Sequence, residues 1–127
     1  MSSQQLESLI HRYPQERESI TRLFDLIEAE KKLITRHRVF TINRLIDKIM
    51  PRSILALSEI LSVLEQQGIL KKILRVESPT TKAGIKDFSS YMDIPNIIHD
   101  PYSDTELNIK SDDVKLLYSV KDNNHLS

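Results

Sequence analysis

The chain contains no cysteine. That excludes a disulfide scaffold, a thiolate zinc centre and a cysteine nucleophile. Glycine is nearly absent too, with 2 in 127 residues, so there is neither a phosphate-cradling glycine loop nor a glycine-rich linker. No run of about 18 apolar residues occurs, the length a membrane helix needs. Met1-Ser2-Ser3-Gln4 lacks the charged and apolar regions of a signal peptide. Neither sign of charge prevails: 18 basic residues face 18 acidic ones, so a polybasic or acidic tail does not account for the whole chain. What is present, 39% hydrophobic and 28% charged, suits one modest core. The expectation is a soluble, cytoplasmic protein of one domain.

The zero total conceals a division along the chain. Residues 1–30 carry three basic and six acidic side chains, a net of −3. Residues 31–52 carry seven basic (Lys31, Lys32, Arg36, Arg38, Arg44, Lys48, Arg52) and one acidic (Asp47), a net of +6. Residues 53–86 net +2, and residues 87–127 net −5. A basic centre between acidic ends can meet a phosphate backbone. It can equally remain solvated, or pair with the acidic part of its own chain or of a partner.

Periodicity predicts four helices followed by strands. Leu6, Leu9 and Ile10 share a face over residues 4–13. Pro14 suits the first position of a second helix, which runs to about residue 34, and Glu16 and Glu18 favour its positive end. Its stripe of Ile20, Leu23, Phe24, Ile27 and Ile34, widened by Leu26 and Leu33, is broad enough to bury two surfaces, one of them against a partner. Thr41 caps a third helix built on Ile42, Leu45, Ile46 and Ile49, and Pro51 ends it. Ser53 caps a fourth over 54–67, with Ile54, Leu57, Ile60, Leu61 and Leu64 as its core face and Gly68 at its C-terminal stop. Residues 69–76 then read as a strand and 78–84 as a loop. Shorter strands are expected over 88–92, 97–99, 106–110 and 116–120, with a helical turn at Ser111-Asp112-Asp113. Residues 122–127 form a frayed tail.

Two helices joined by a short turn and followed by a β segment is the helix-turn-helix order with a wing. Thr41-Ile42-Asn43-Arg44-Leu45-Ile46-Asp47-Lys48-Ile49 resembles the positioning helix. Leu64-Glu65-Gln66-Gln67-Gly68-Ile69-Leu70 resembles the end of a winged-helix recognition helix as it turns into the wing strands. Over roughly residues 20–80 the chain thus resembles the winged-helix superfamily. The expected fold class is α+β. A helical arm (1–40) precedes a winged-helix-like core (41–80), and a small antiparallel β extension (81–121) and the tail (122–127) follow. From Gly68 to Val120 is more chain than two wing strands need. Within that stretch Glu77-Ser78-Pro79-Thr80-Thr81, Asp93-Ile94-Pro95 and Ile98-His99-Asp100-Pro101-Tyr102-Ser103 resemble the zinc-ribbon appendages of some prokaryotic winged-helix proteins. Ser78, Thr81, His99 and Ser103 stand where those have cysteines. The resemblance therefore implies no zinc, only a remnant held by Phe88, Tyr91, Ile94, Ile97, Ile98 and Tyr118.

The residues offer no catalytic constellation. His11, His37, His99 and His125 fall in no paired metal spacing. His99-Asp100 lacks a nucleophile, and Asp112-Asp113 suits a helix start. No catalytic residue and no cofactor are expected. The winged-helix resemblance implies DNA binding by default, yet residues 53–67 contain no Lys or Arg and do contain Glu59 and Glu65, a poor set for reading base edges. The leading expectation is a non-catalytic connector in a multiprotein assembly, docking or self-associating through the 15–34 helix with Ile20, Phe24, Ile27 and Ile34. The alternative is a DNA-binding regulator whose Arg36, Arg38, Arg44, Lys48, Arg52, Lys71 and Lys72 touch phosphates. A third, at the level of fold association alone, is an accessory subunit of a bacterial defence or toxin–antitoxin operon.

Overall fold

The computed structural model describes residues 1–33 and 38–121. It is an α+β fold, helices first and strands after. Four α-helices are present: α1 (Ser3–Arg12), α2 (Arg17–Lys31), α3 (Ile42–Ile49) and α4 (Ile54–Gln66). Six strands accompany them: β1 (Val39–Thr41), β2 (Leu70–Glu77), β3 (Gly84–Phe88), β4 (Ile97–Asp100), β5 (Thr105–Asn108) and β6 (Val114–Val120). The chain divides into two compact units, residues 1–71 with 118–127 and residues 72–117.

In the first unit the helix ends lie where capping chemistry puts them. Ser2, Thr41 and Ser53 each accept a backbone N–H of their own helix's first turn through the side-chain hydroxyl, at 3.1–3.2 Å. Gly68, at φ +74°, closes α4. The Gly68 N–H reaches the Glu65 carbonyl at 3.0 Å and the Ile69 N–H reaches the Leu64 carbonyl at 2.9 Å, the paired bonds of a Schellman stop. The core face of α4 is Leu57, Ile60, Leu61 and Leu64, all buried. Ile54, expected among them, is exposed at the first position of α4. The second helix differs in two ways from expectation. Pro14–Glu16 is a separate 3₁₀ turn, and the α-helix begins only at Arg17 and stops at Lys31. Its broad stripe is used within the chain: α2 packs against α1 and against α3, and Ile20, Leu23 and Ile27 are buried. Strand β1, which carries no alternation long enough to read from sequence, supplies the buried Phe40. The strand β6 is hydrogen-bonded between β1 and β2, and the Lys121 N–H continues the pairing to the Ile69 carbonyl at 3.0 Å.

The second unit, residues 72–117, takes in most of β2 and β6 and what lies between them in sequence. β2 pairs antiparallel with β3, matching Leu74 to Phe88 and Val76 to Lys86. β4 and β5 form an antiparallel hairpin, Ile97 opposite Asn108 and His99 opposite Glu106. The strand expected over 88–92 lies earlier, at Gly84–Phe88, and Tyr91–Asp93 is a 3₁₀ turn capped by Ser90. Of the apolar residues expected to hold this region together, Phe88, Ile94 and Ile98 are half-buried and Tyr118 is buried, whereas Tyr91 and Ile97 are exposed. Ile97 lies on the outer side of the hairpin, two positions from His99, so strand alternation turns it to solvent.

Candidate interaction surface

The turn between α3 and α4 is held by the 3₁₀ turn Pro14–Glu16 and by α2. Glu16 is buried, and its two carboxylate oxygens accept the backbone N–H groups of Arg52 and Ser53, each at 2.9 Å. The Ser19 hydroxyl donates to the same carboxylate at 2.7 Å. Six positions beyond Glu16, the Arg22 guanidinium donates to the carbonyl of Ile49 at 2.8 Å and to that of Met50 at 3.3 Å. The orphan carbonyls ending α3 and the orphan N–H groups leading into α4 are thus both satisfied. Burial pushes the Glu16 carboxyl up. The bonds from Ser19, Arg52 and Ser53 and the Arg52 charge outweigh it and hold the group below its ordinary range.

This turn presents an unusual face. Met50 adopts a left-handed conformation at φ +48°, where glycine or asparagine is cheapest. Its side chain is nonetheless 59% exposed, and Ile54 and Leu55, opening α4, are 52% and 70% exposed. In the same stretch Arg44, Lys48 and Arg52 are exposed, with no ion pair among the described residues, as is Asp47. A helix that reads DNA enters the groove with polar side chains at this end. Here the first two residues of α4 are isoleucine and leucine.

No family model, no curated protein and no solved structure matches this chain.

The residues singled out from sequence are distributed unevenly. Ile20 and Ile27 are enclosed in the core and so are not open to a partner, which corrects the docking face expected on α2; Phe24 is half-buried. Ile34 and Arg36 lie outside the described residues. Of the candidate phosphate contacts, Arg44, Lys48, Arg52 and Lys71 are exposed and Lys72 is half-buried. Arg38 is exposed, but its Nε donates to the buried carboxylate of Glu30 at 2.7 Å, and its backbone N–H donates to the same group at 3.0 Å. Its charge is committed inside the chain. Met50 and Leu55 carried no sequence signal; only their exposure picks them out.

In the second unit Ser78 and Asp100 are both buried and joined by a 2.7 Å hydrogen bond from the serine hydroxyl. The Tyr102 N–H donates to the other carboxylate oxygen at 2.9 Å. Burial raises the Asp100 carboxyl, and the bonds from Ser78, Tyr102 and Ser103 overcome that and hold it below the usual range. The bond from Ser78 clasps the loop after β2 to the end of β4. His99 turns the other way, with Nε2 3.4 Å from Asp104. Among the described residues no group of three or more His, Asp or Glu side chains is placed to hold a metal ion. Outside this clasp Tyr91, Met92, Ile97 and Tyr102 are exposed, Met92 at 94%. No described helix is long and apolar enough to cross a membrane.

Proposed function

We propose that the chain is a non-catalytic docking subunit built on a winged-helix-like core, which grips another protein through the turn between α3 and α4. The observation that carries this reading is the exposure of Met50, Ile54 and Leu55 where a DNA reader needs hydrogen-bonding side chains. Exposed apolar clusters rimmed by charge are typical of protein interfaces. Support for the winged-helix-like reading comes from the order helix, short strand, helix, helix, strand, and from a last strand that returns between β1 and β2. Satisfaction of the turn by Glu16 and Arg22 makes it a rigid platform, so little ordering entropy is lost when a partner binds.

A second reading, contact with a DNA backbone, draws on the exposed Arg44, Lys48 and Arg52. A photo-crosslinking amino acid at position 55, in cells that make the protein, separates the two. The expected product is a protein adduct. Adducts to nucleic acid alone, or none at all, would overturn the docking reading.

A further inference from the structure

Two exposed apolar clusters of opposite charge occur in this one chain, and we propose that they bind each other between copies. The turn spanning 50–55 of one molecule receives the 91–106 segment of a second. This inference rests on the docking reading above and names the partner as another copy of the chain.

The first cluster is Met50, Ile54 and Leu55, exposed in the stretch that also carries the exposed Arg44, Asp47, Lys48 and Arg52. The second is Tyr91, Met92, Ile97 and Tyr102. No Lys or Arg occurs from residue 87 to residue 109. Within that stretch Asp87 is engaged by Arg75 at 2.7 Å and Asp100 by Ser78. Asp93, Asp104 and Glu106 are exposed in the same stretch, Asp104 with His99 Nε2 3.4 Å away. On the basic side Arg38 is taken by Glu30, while Arg44, Lys48 and Arg52 are exposed without an ion pair among the described residues, with Asp47 the one exposed acid between them in sequence. Each stretch therefore offers what the other lacks, exposed apolar side chains among charges whose net sign is opposite: positive for Arg44, Asp47, Lys48 and Arg52, negative for Asp93, Asp104 and Glu106.

Charge also decides which pairing forms. Two turns facing each other would set six cations against two carboxylates (Asp47 of each copy), and two 91–106 segments would bring carboxylates together with no Lys or Arg to offset them. Only unlike surfaces attract, so the contact joins different patches of the two copies. The apolar side chains supply most of the affinity on losing water, and the charges set register and weaken as salt is added.

Leu55→Asp and Met92→Asp test this by sedimentation velocity over a range of concentrations, with circular dichroism confirming that each variant is folded. Both positions are largely solvent-exposed, and an aspartate in the first turn of α4 is favoured by the helix dipole. The parent chain is expected to associate with rising concentration, and to do so less at high salt. Each variant alone should associate about tenfold more weakly or worse, the size of effect typical of a central interface residue. An equimolar mixture should recover a one-to-one complex, because the first variant keeps an intact 91–106 segment and the second an intact turn. A parent chain that stays monomeric, variants that associate like the parent, or a mixture that stays monomeric overturns the proposal. A crosslink from position 55 to a different protein also overturns it, while leaving the docking reading in place.

Discussion

Glu16 stabilises the fold as a charged group, buried and bonded to three donors on two segments of chain. Replacing it by glutamine keeps the volume but substitutes an amide that can present only one oxygen to two backbone N–H groups. A loss of about 1.5–3 kcal/mol is expected, the usual worth of a hydrogen bond to a charged group, measured by urea unfolding at neutral pH. The pH dependence has a definite sign. The folded carboxyl lies below its ordinary range, so its contribution is complete above the unfolded-state pKa and disappears as pH falls through the folded one. Stability of the parent should fall faster than that of Glu16→Gln on acidification below about pH 4.5, the ordinary glutamate value. Parallel acid limbs would refute this role. Sequence alone placed Glu16 near a helix start, where a carboxylate is welcome anyway. Its true partners lie 36 and 37 residues further on, and no local pattern announces them.

Elements were most legible where local chemistry and packing agree. The fourth helix is an example: a serine cap, five apolar residues at helical spacing and a glycine stop define Ile54–Gln66 almost to the residue. Gly68 is the sharpest case, because a Cβ there would meet nothing within 4 Å, yet the backbone sits at φ +74°. Gly68→Ala should therefore cost about 1–2 kcal/mol from backbone strain alone, and Gly68→Asn less, since asparagine tolerates this region better. Equal losses for the two variants in thermal unfolding would mean that packing, not backbone conformation, sets the cost. Legibility fails at two kinds of place. Strand β1 has three residues and is recognised only through its neighbours. The stripe on α2 has the width of two buried surfaces, as read, but periodicity does not say whose surfaces they are; α1 and α3 take both. Ile54 has the spacing of a core residue and the position of an end residue, and position prevails.

At the scale of the whole molecule the zero net charge is a balance of unlike regions, and the structure spends part of that charge internally. With Arg38 committed to Glu30, three of the cations expected to touch phosphate remain exposed around the turn. DNA binding measured by fluorescence anisotropy should accordingly be weak and non-selective. A contact through those three alone would give a log–log salt slope of about −3, at roughly −0.9 per phosphate. Tight, sequence-selective binding that survives Arg44→Glu, Lys48→Glu and Arg52→Glu together would show that some other surface meets the DNA.

The surplus of chain after Gly68 was legible as a surplus, whereas the return of β6 to a place between β1 and β2 was not, because strand partnership is a long-range property. That return has a consequence for how the chain can change. The segment from 78 to 113 begins after β2 and ends before β6, which are neighbouring strands, so for that pairing it is a loop to be closed. Doubling such a loop adds only about 0.6 kcal/mol of closure entropy. Insertions and deletions there therefore add little closure cost to the pairing of β2 with β6.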